Sequence, residues 1–141
     1  VSKVGHFKDL KVYYFHNCVY GRVYDNPSLL PSGAVQTDWL LSNLSSEYKV
    51  IFVGDAQMAP YELTGGWYYS QNRDPNAPQC GMDWLLRFRD KYPHAVWLNP
   101  SDRPTWGQYW CETYDAIAKV FPMFPLTVEG LEEGMKKLLA R

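Results

Sequence analysis

Apolar positions along this chain alternate between short continuous runs and stripes of helical spacing. Residues 10–15 (Leu-Lys-Val-Tyr-Tyr-Phe) and 18–24 (Cys-Val-Tyr-Gly-Arg-Val-Tyr) are rich in β-branched and aromatic side chains, which suit a pleated, half-buried surface. The polar step His16-Asn17 between them predicts a tight hairpin, and Gly21 and Arg22 mark the second stretch as the edge member. Residues 25–33 are loop by their turn residues. Trp39, Leu40 and Leu44 give a helical stripe over residues 36–46, with Thr37 or Asp38 as cap. Residues 49–54 (Lys-Val-Ile-Phe-Val-Gly) form the continuous apolar run of a parallel strand covered on both faces. Met82, Leu85 and Phe88 predict a helix over residues 79–92, bracketed by Pro78 and Pro93.

Residues 95–98 are the next buried strand, and residues 113–121 a helix stopped by Pro122. A short last strand over residues 123–126 leads to a helix opening at Thr127, with Val128, Leu131, Met135 and Leu138 on one face. Glu129 near its start and Lys136, Lys137 and Arg141 near its end complement the helix dipole. Strand and helix in this alternation predict an α/β fold, a mostly parallel sheet with an antiparallel edge strand and helices on both faces. Two long connections, residues 55–78 and 99–112, are of a length that is often functional.

With 141 residues the chain has the size of one domain. Its 14 basic and 15 acidic residues, without a dense Lys/Arg cluster, argue against a nucleic-acid or other polyanion partner. No apolar run approaches the length of a membrane span, so a soluble, cytoplasmic protein is expected. Cys18, Cys80 and Cys111, odd in number and widely spaced, do not make a disulfide framework.

Ligands of open α/β sheets bind outside the carboxyl ends of the strands. Asn17, Asp55 and Asn99 follow predicted strands, and Thr37 opens a helix that can share the same rim. Converging oxygen donors of this kind suit a hard divalent cation such as Mg²⁺. The competing reading is that Asp55 and Asn99 serve local turns and caps. His16 and Cys18, two apart, read as a buried histidine and a buried cysteine. No nucleophile elbow, phosphate-binding loop or dinucleotide fingerprint is present. Tyr61, Trp67, Tyr68, Tyr69, Trp106, Tyr109 and Trp110 crowd the two long connections. They read equally as a binding face or as lids over their own core.

Four stretches together are distinctive: Tyr14-Phe-His-Asn-Cys18; Val53-Gly-Asp-Ala56 with Met58-Ala-Pro-Tyr-Glu-Leu63; Val96-Trp-Leu-Asn-Pro100; and Phe121-Pro-Met-Phe-Pro-Leu-Thr127 followed by Glu129-Gly-Leu131. In order and spacing they resemble the C-terminal part of the CoxE-like family of von Willebrand factor A (VWA) domain proteins, from about Leu10 onward. The resemblance implies a Rossmann-like VWA fold with a metal-ion-dependent adhesion site. Its ion is held by an Asp-x-Ser-x-Ser motif after the first strand, a Thr from a later loop and an Asp after the fourth strand. Asp55 matches that Asp and Thr37 the Thr, while the Asp-x-Ser-x-Ser element occurs nowhere in the chain. The implied single domain over residues 1–141 is therefore expected to be N-terminally incomplete, lacking its first strand and helix. In the family that strand lies between those matching residues 10–15 and 49–54.

The resemblance implies a non-enzymatic protein-interaction module. Its expected partner is a MoxR-type AAA+ ATPase or a metalloenzyme client, in metalloenzyme maturation or complex remodelling. Mg²⁺ or another divalent cation is expected in the full-length protein, and weak or no binding by this chain. Asp55 and Thr37 are the expected ligands, Trp67, Tyr69 and Trp106 the expected partner contacts, and a homodimer is a further expectation. The alternative is a small metal-dependent hydrolase or transferase with Asp55 at the strand rim.

Overall fold

A computed structural model describes residues 10–65 and 80–140. Two small sheets organise them. Strand β1 (Arg22–Tyr24) pairs antiparallel with β2 (Ala34–Gln36), Val23 facing Val35, after a 3₁₀ turn over Pro31–Gly33. Helix α1 (Thr37–Asn43) follows β2 directly. The second sheet is parallel and holds β3 (Ile51–Val53), β4 (Val96–Asn99) and β5 (Met123–Pro125) in sequence order. Helix α2 (Pro60–Thr64) follows β3, and α3 (Gly81–Lys91) precedes β4. Helix α4 (Gln108–Val120) joins β4 to β5, and α5 (Val128–Leu138) ends the order.

The alternating pattern of side chains along each strand decides which layer it meets. Phe52 and Trp97 are register partners and point to one face, where their rings stack at 5.4 Å. Phe88 of α3 meets Phe52 edge-on at 5.4 Å, and Phe121, just after α4, closes the cluster at 5.0 Å from Phe52. Val96, Leu98 and Phe124 point to the opposite face, where α5 lays Met135 and Leu138 against Val96. Central strand β4 is buried along its whole length. Helices thus cover both faces of a three-stranded parallel sheet, a mixed α/β arrangement consistent with a Rossmann-like fold. Cover is uneven: Ile51 and Val53, on the α5 side of β3, remain 38% and 48% exposed. Among the described residues no helix is long and apolar enough to cross a membrane.

The structure departs from the sequence pattern in its first part. Residues 10–15 do not form a strand; Tyr14 alone bridges to Tyr24, with N···O distances of 2.7 and 2.9 Å. The antiparallel pair belongs to a separate sheet rather than to an edge of the parallel one. The expected hairpin at His16-Asn17 is a wider irregular reversal, with Asn17 at φ 60°. Adjacent Cys18 and Val19 are both buried, which a flat strand with one solvated face cannot achieve. The long connection from residue 55 contains α2, opened by Pro60 and by Glu62, whose Oε2 accepts the Ala59 N–H at 2.9 Å. Its remainder lies outside the described residues. The other predicted elements form, with α4 starting five residues before the expected boundary at Thr113.

Helix α5 enters the fold through one tight contact. Thr127 caps it by accepting the Gly130 N–H at 3.0 Å, and its own N–H donates to the Pro125 carbonyl at 2.9 Å. A Cβ on Gly130 would overlap that same Pro125 carbonyl oxygen. Gly130→Ala is expected to lower stability by about 3 kcal/mol, the upper end of overpacking costs. Gly21→Ala, whose added carbon would meet only the Trp84 ring at 3.5 Å, serves as the near-neutral control; urea denaturation of both variants checks the contrast.

Candidate functional site

The carboxyl ends of β3 and β4 form a tied rim. Asn99, the last residue of β4, is buried, and its side-chain amide donates to the Asp55 carbonyl at 2.9 Å. Its Oδ1 accepts the Ser101 N–H at 2.8 Å, and its backbone carbonyl accepts the Leu126 N–H at 2.8 Å. One side chain and its peptide thereby fasten the ends of all three parallel strands. Asn99 has the local, structural role that competed with ligand binding in the sequence.

Helix α4 supplies the second tie. Thr113 is buried, and its hydroxyl donates to the Ala56 carbonyl at 3.0 Å while accepting the Met58 N–H at 3.2 Å. Polar backbone groups at a buried turn need such partners, and Ala56, at φ 61°, sits in that turn. The first turns of α4 are thus held beside the residues that follow Asp55. Sequence reasoning missed Thr113, which stands at the first position of the predicted helix with no signal that its hydroxyl reaches residues 56 and 58. Glu62 was missed as well. Its Oε1 accepts the Asn17 side-chain amide at 2.9 Å, and its carbonyl accepts the Tyr20 hydroxyl at 3.0 Å. A glutamate shortly after Ala59-Pro60 at a helix start was the available hint.

Asp55 stands exposed at the rim. Its Oδ1 accepts the Gln57 N–H at 3.0 Å, and Oδ2 has no hydrogen-bond partner among the described residues. Thr37 is placed very differently. It is fully buried at the start of α1, its hydroxyl donates to the Tyr20 carbonyl at 2.5 Å, and its N–H donates to the Gly21 carbonyl at 3.0 Å. No hydrogen bond joins the two residues. As a donor set they do not fit a cation that takes about six oxygens, since one exposed carboxylate and one buried, engaged hydroxyl are not brought together. Among the described residues no group of three or more His, Cys, Asp or Glu is placed to hold a metal ion.

Exposed aromatic side chains crowd the start of α4, the helix whose Thr113 reaches the backbone of Ala56 and Met58. Trp106 is 79% exposed, and Tyr109 and Trp110 are also exposed. They follow from the turn at Gly107, whose φ of 80° opens α4. The loop before it is strapped to the helix by Arg103, which grips Asp115 through two 2.8 Å hydrogen bonds. That grip holds the Asp115 carboxyl below its ordinary pKa. The Cys111 thiol adds a bond to the Pro104 carbonyl at 3.1 Å. Trp106 is therefore presented on a braced loop. Trp67 and Tyr69, the other expected partner contacts, and Tyr68 lie outside the described residues.

His16 is exposed while Cys18 is buried, so the expected pair of buried side chains is corrected. The irregular backbone at Asn17 breaks the two-residue alternation that would have put both on one face. Cys18 packs against Gly81, at the start of α3, and burial pushes its thiol up to about 12.

No family model, curated protein or solved structure matches this chain.

Two expectations follow from these contacts. Thr113→Val leaves the Ala56 carbonyl and Met58 N–H without their partner and should cost about 1–3 kcal/mol in urea unfolding. The second concerns pH. The unfolded chain releases the Cys18 proton near its ordinary 9.0 and the folded chain only near about 12. Between those values the unfolded state holds fewer protons, so stability is full below 9.0 and falls as pH rises. Burial also raises the Tyr20 hydroxyl, adding to the decline at higher pH. Cys18→Ala should remove up to about 1.4 kcal/mol per pH unit from that slope, read from urea midpoints across the alkaline range.

Proposed function

We propose that this chain is a non-enzymatic, VWA-type protein-interaction module of the CoxE-like kind. Its proposed partner is a MoxR-type AAA+ ATPase or a metalloenzyme client, in metalloenzyme maturation or complex remodelling. The observation that carries the reading is the rim itself. Thr113 and Asn99 fix the backbone around Asp55 from two sides, while the Asp55 carboxylate and the Trp106, Tyr109 and Trp110 side chains stay exposed. A rigid base with an outward acid and braced aromatics suits capture of a protein surface, where tryptophan and tyrosine contribute strongly to binding. The order of the four sequence stretches that resemble the CoxE-like family, together with a parallel α/β sheet, supports the family reading.

In this proposal Asp55 is the principal polar contact. No cation enters this proposal, because Asp55 and Thr37 are not brought together and the Thr37 hydroxyl is engaged by the Tyr20 carbonyl. Trp106 shapes the surrounding surface, as do Trp67 and Tyr69 in the same reading.

Asp55→Ala removes a side chain whose sole hydrogen bond among the described residues is accepted from the Gln57 N–H, so the fold should survive. Capture of a MoxR-type ATPase by the full-length protein should weaken about tenfold or more, the scale of one charged contact. Equal capture by the wild type and the variant would overturn the mechanism.

A further inference from the structure

Two thiols meet where the irregular first segment packs against the start of helix α3. All three cysteines of the chain are reduced. Cys18 is fully buried, and Cys80, the N-cap residue of α3, is 6% exposed. A Cβ on Gly81, the residue after Cys80, would overlap the Cys18 sulfur and lie 3.1 Å from the Cys18 Cβ. The α3 backbone at Gly81 therefore lies directly against the Cys18 side chain. Cys80 is one Cα–Cα step, about 3.8 Å, from that contact. The two thiols also sense each other: after burial itself, Cys80 is the largest influence raising the Cys18 thiol, ahead of Glu62. The N-cap is a joint with room to turn. Cys80 has extended backbone angles, and its carbonyl accepts the Trp84 N–H at 3.5 Å, the long limit of a hydrogen bond. Cys111 is placed differently, on α4, with its thiol donating to the Pro104 carbonyl at 3.1 Å.

We propose that Cys18 and Cys80 are a site of oxidative modification, a thiol pair that hydrogen peroxide converts into an intramolecular disulfide. Cys80 reacts first, since it is the more accessible of the two and the start of a helix favours the anionic form of a thiol. Its thiolate attacks one peroxide oxygen, the O–O bond breaks, and a sulfenic acid forms. The departing hydroxide takes up the proton that the Cys80 thiol released and becomes water. The Cys18 sulfur then displaces hydroxide from the Cys80 sulfur, and the Cys18 proton turns that hydroxide into a second water. Two thiols lose two electrons between them, and one peroxide is reduced to two waters. The new bond ties the Cys18 segment to α3 and closes a loop over residues 19–79, which holds β1, β2, α1, β3 and α2. This inference does not rest on the proposed ATPase partnership, and its readouts do not involve partner capture.

Peroxide treatment of the chain, tryptic digestion without reduction and mass spectrometry test it, because trypsin places the three cysteines on separate peptides. The Cys18 peptide should appear joined to the Cys80 peptide, two hydrogens lighter than their sum, and dithiothreitol should release both. Cys111→Ala should give the same link. In that variant the treated chain should unfold at a urea midpoint about 1 M higher, because the bond closes a long loop, and dithiothreitol should return the midpoint. Absence of the link after treatment, with Cys80 found as a thiol or a sulfinic acid, would overturn the proposal. So would links that run between chains or join Cys18 to Cys111. A link that lowers the urea midpoint would also overturn it, since thiols placed to join in the native fold do so without distorting it.

Discussion

A buried indole N–H without an acceptor costs far more than the bond itself contributes, and Trp97 sits at the centre of this fold. Fully buried in the middle of β4, it donates to the Gly54 carbonyl at 2.8 Å. That single bond crosses from the central strand to the end of its neighbour and fixes the peptide immediately before Asp55. Its ring stacks on Phe52, leans against Phe121 at 6.2 Å and receives the edge of Phe15 at 6.5 Å. The parallel sheet, the helix layer around Phe88 and the irregular first segment therefore all meet one side chain. Aromatic groups of this size contribute both area and geometry, so the placement of the rim depends on a core contact rather than on loop chemistry.

From that anchor the rim is built by satisfying buried polar groups. Asn99 and Thr113 serve backbone atoms of residues 55–58, and Asn99 also holds the chain leaving β5. Their engagement leaves the outward groups, Asp55 and the aromatic residues at the start of α4, free to meet another molecule. Rigidity below and exposure above are two consequences of the same hydrogen bonds. The buried hydroxyl of Thr37, by contrast, belongs to the joint between α1 and the chain at Tyr20.

Uneven cover of the sheet is the second organising feature. Helix α5 approaches closely through Gly130 and Gly134, the latter facing Leu98 and Phe124. That close approach seals β4 and β5 on one face and ends before β3. On the opposite face Phe52 is fully enclosed. One short strand thus has a finished side and an unfinished side, and its unfinished side coincides with its unpaired edge among the described residues.

The sequence by itself determined the alternation of strand and helix from residue 49 to residue 138. Continuous apolar runs and helical stripes are local patterns, and the prolines at 93 and 122 stop elements wherever the chain is placed. Asp55 as an exposed rim residue and Thr127 as a helix cap were legible for the same local reason. Residues 10–24 were not, because consecutive Cys18 and Val19 must both be buried and only the core decides which backbone permits it. Nor could sequence show that Thr37 is spent on Tyr20 while Thr113 holds the rim; both are threonines in or near helices, and their partners lie 17 and 57 positions away. Tertiary structure decided those roles, since the acceptor for a buried hydroxyl is whichever carbonyl the packing leaves unpaired.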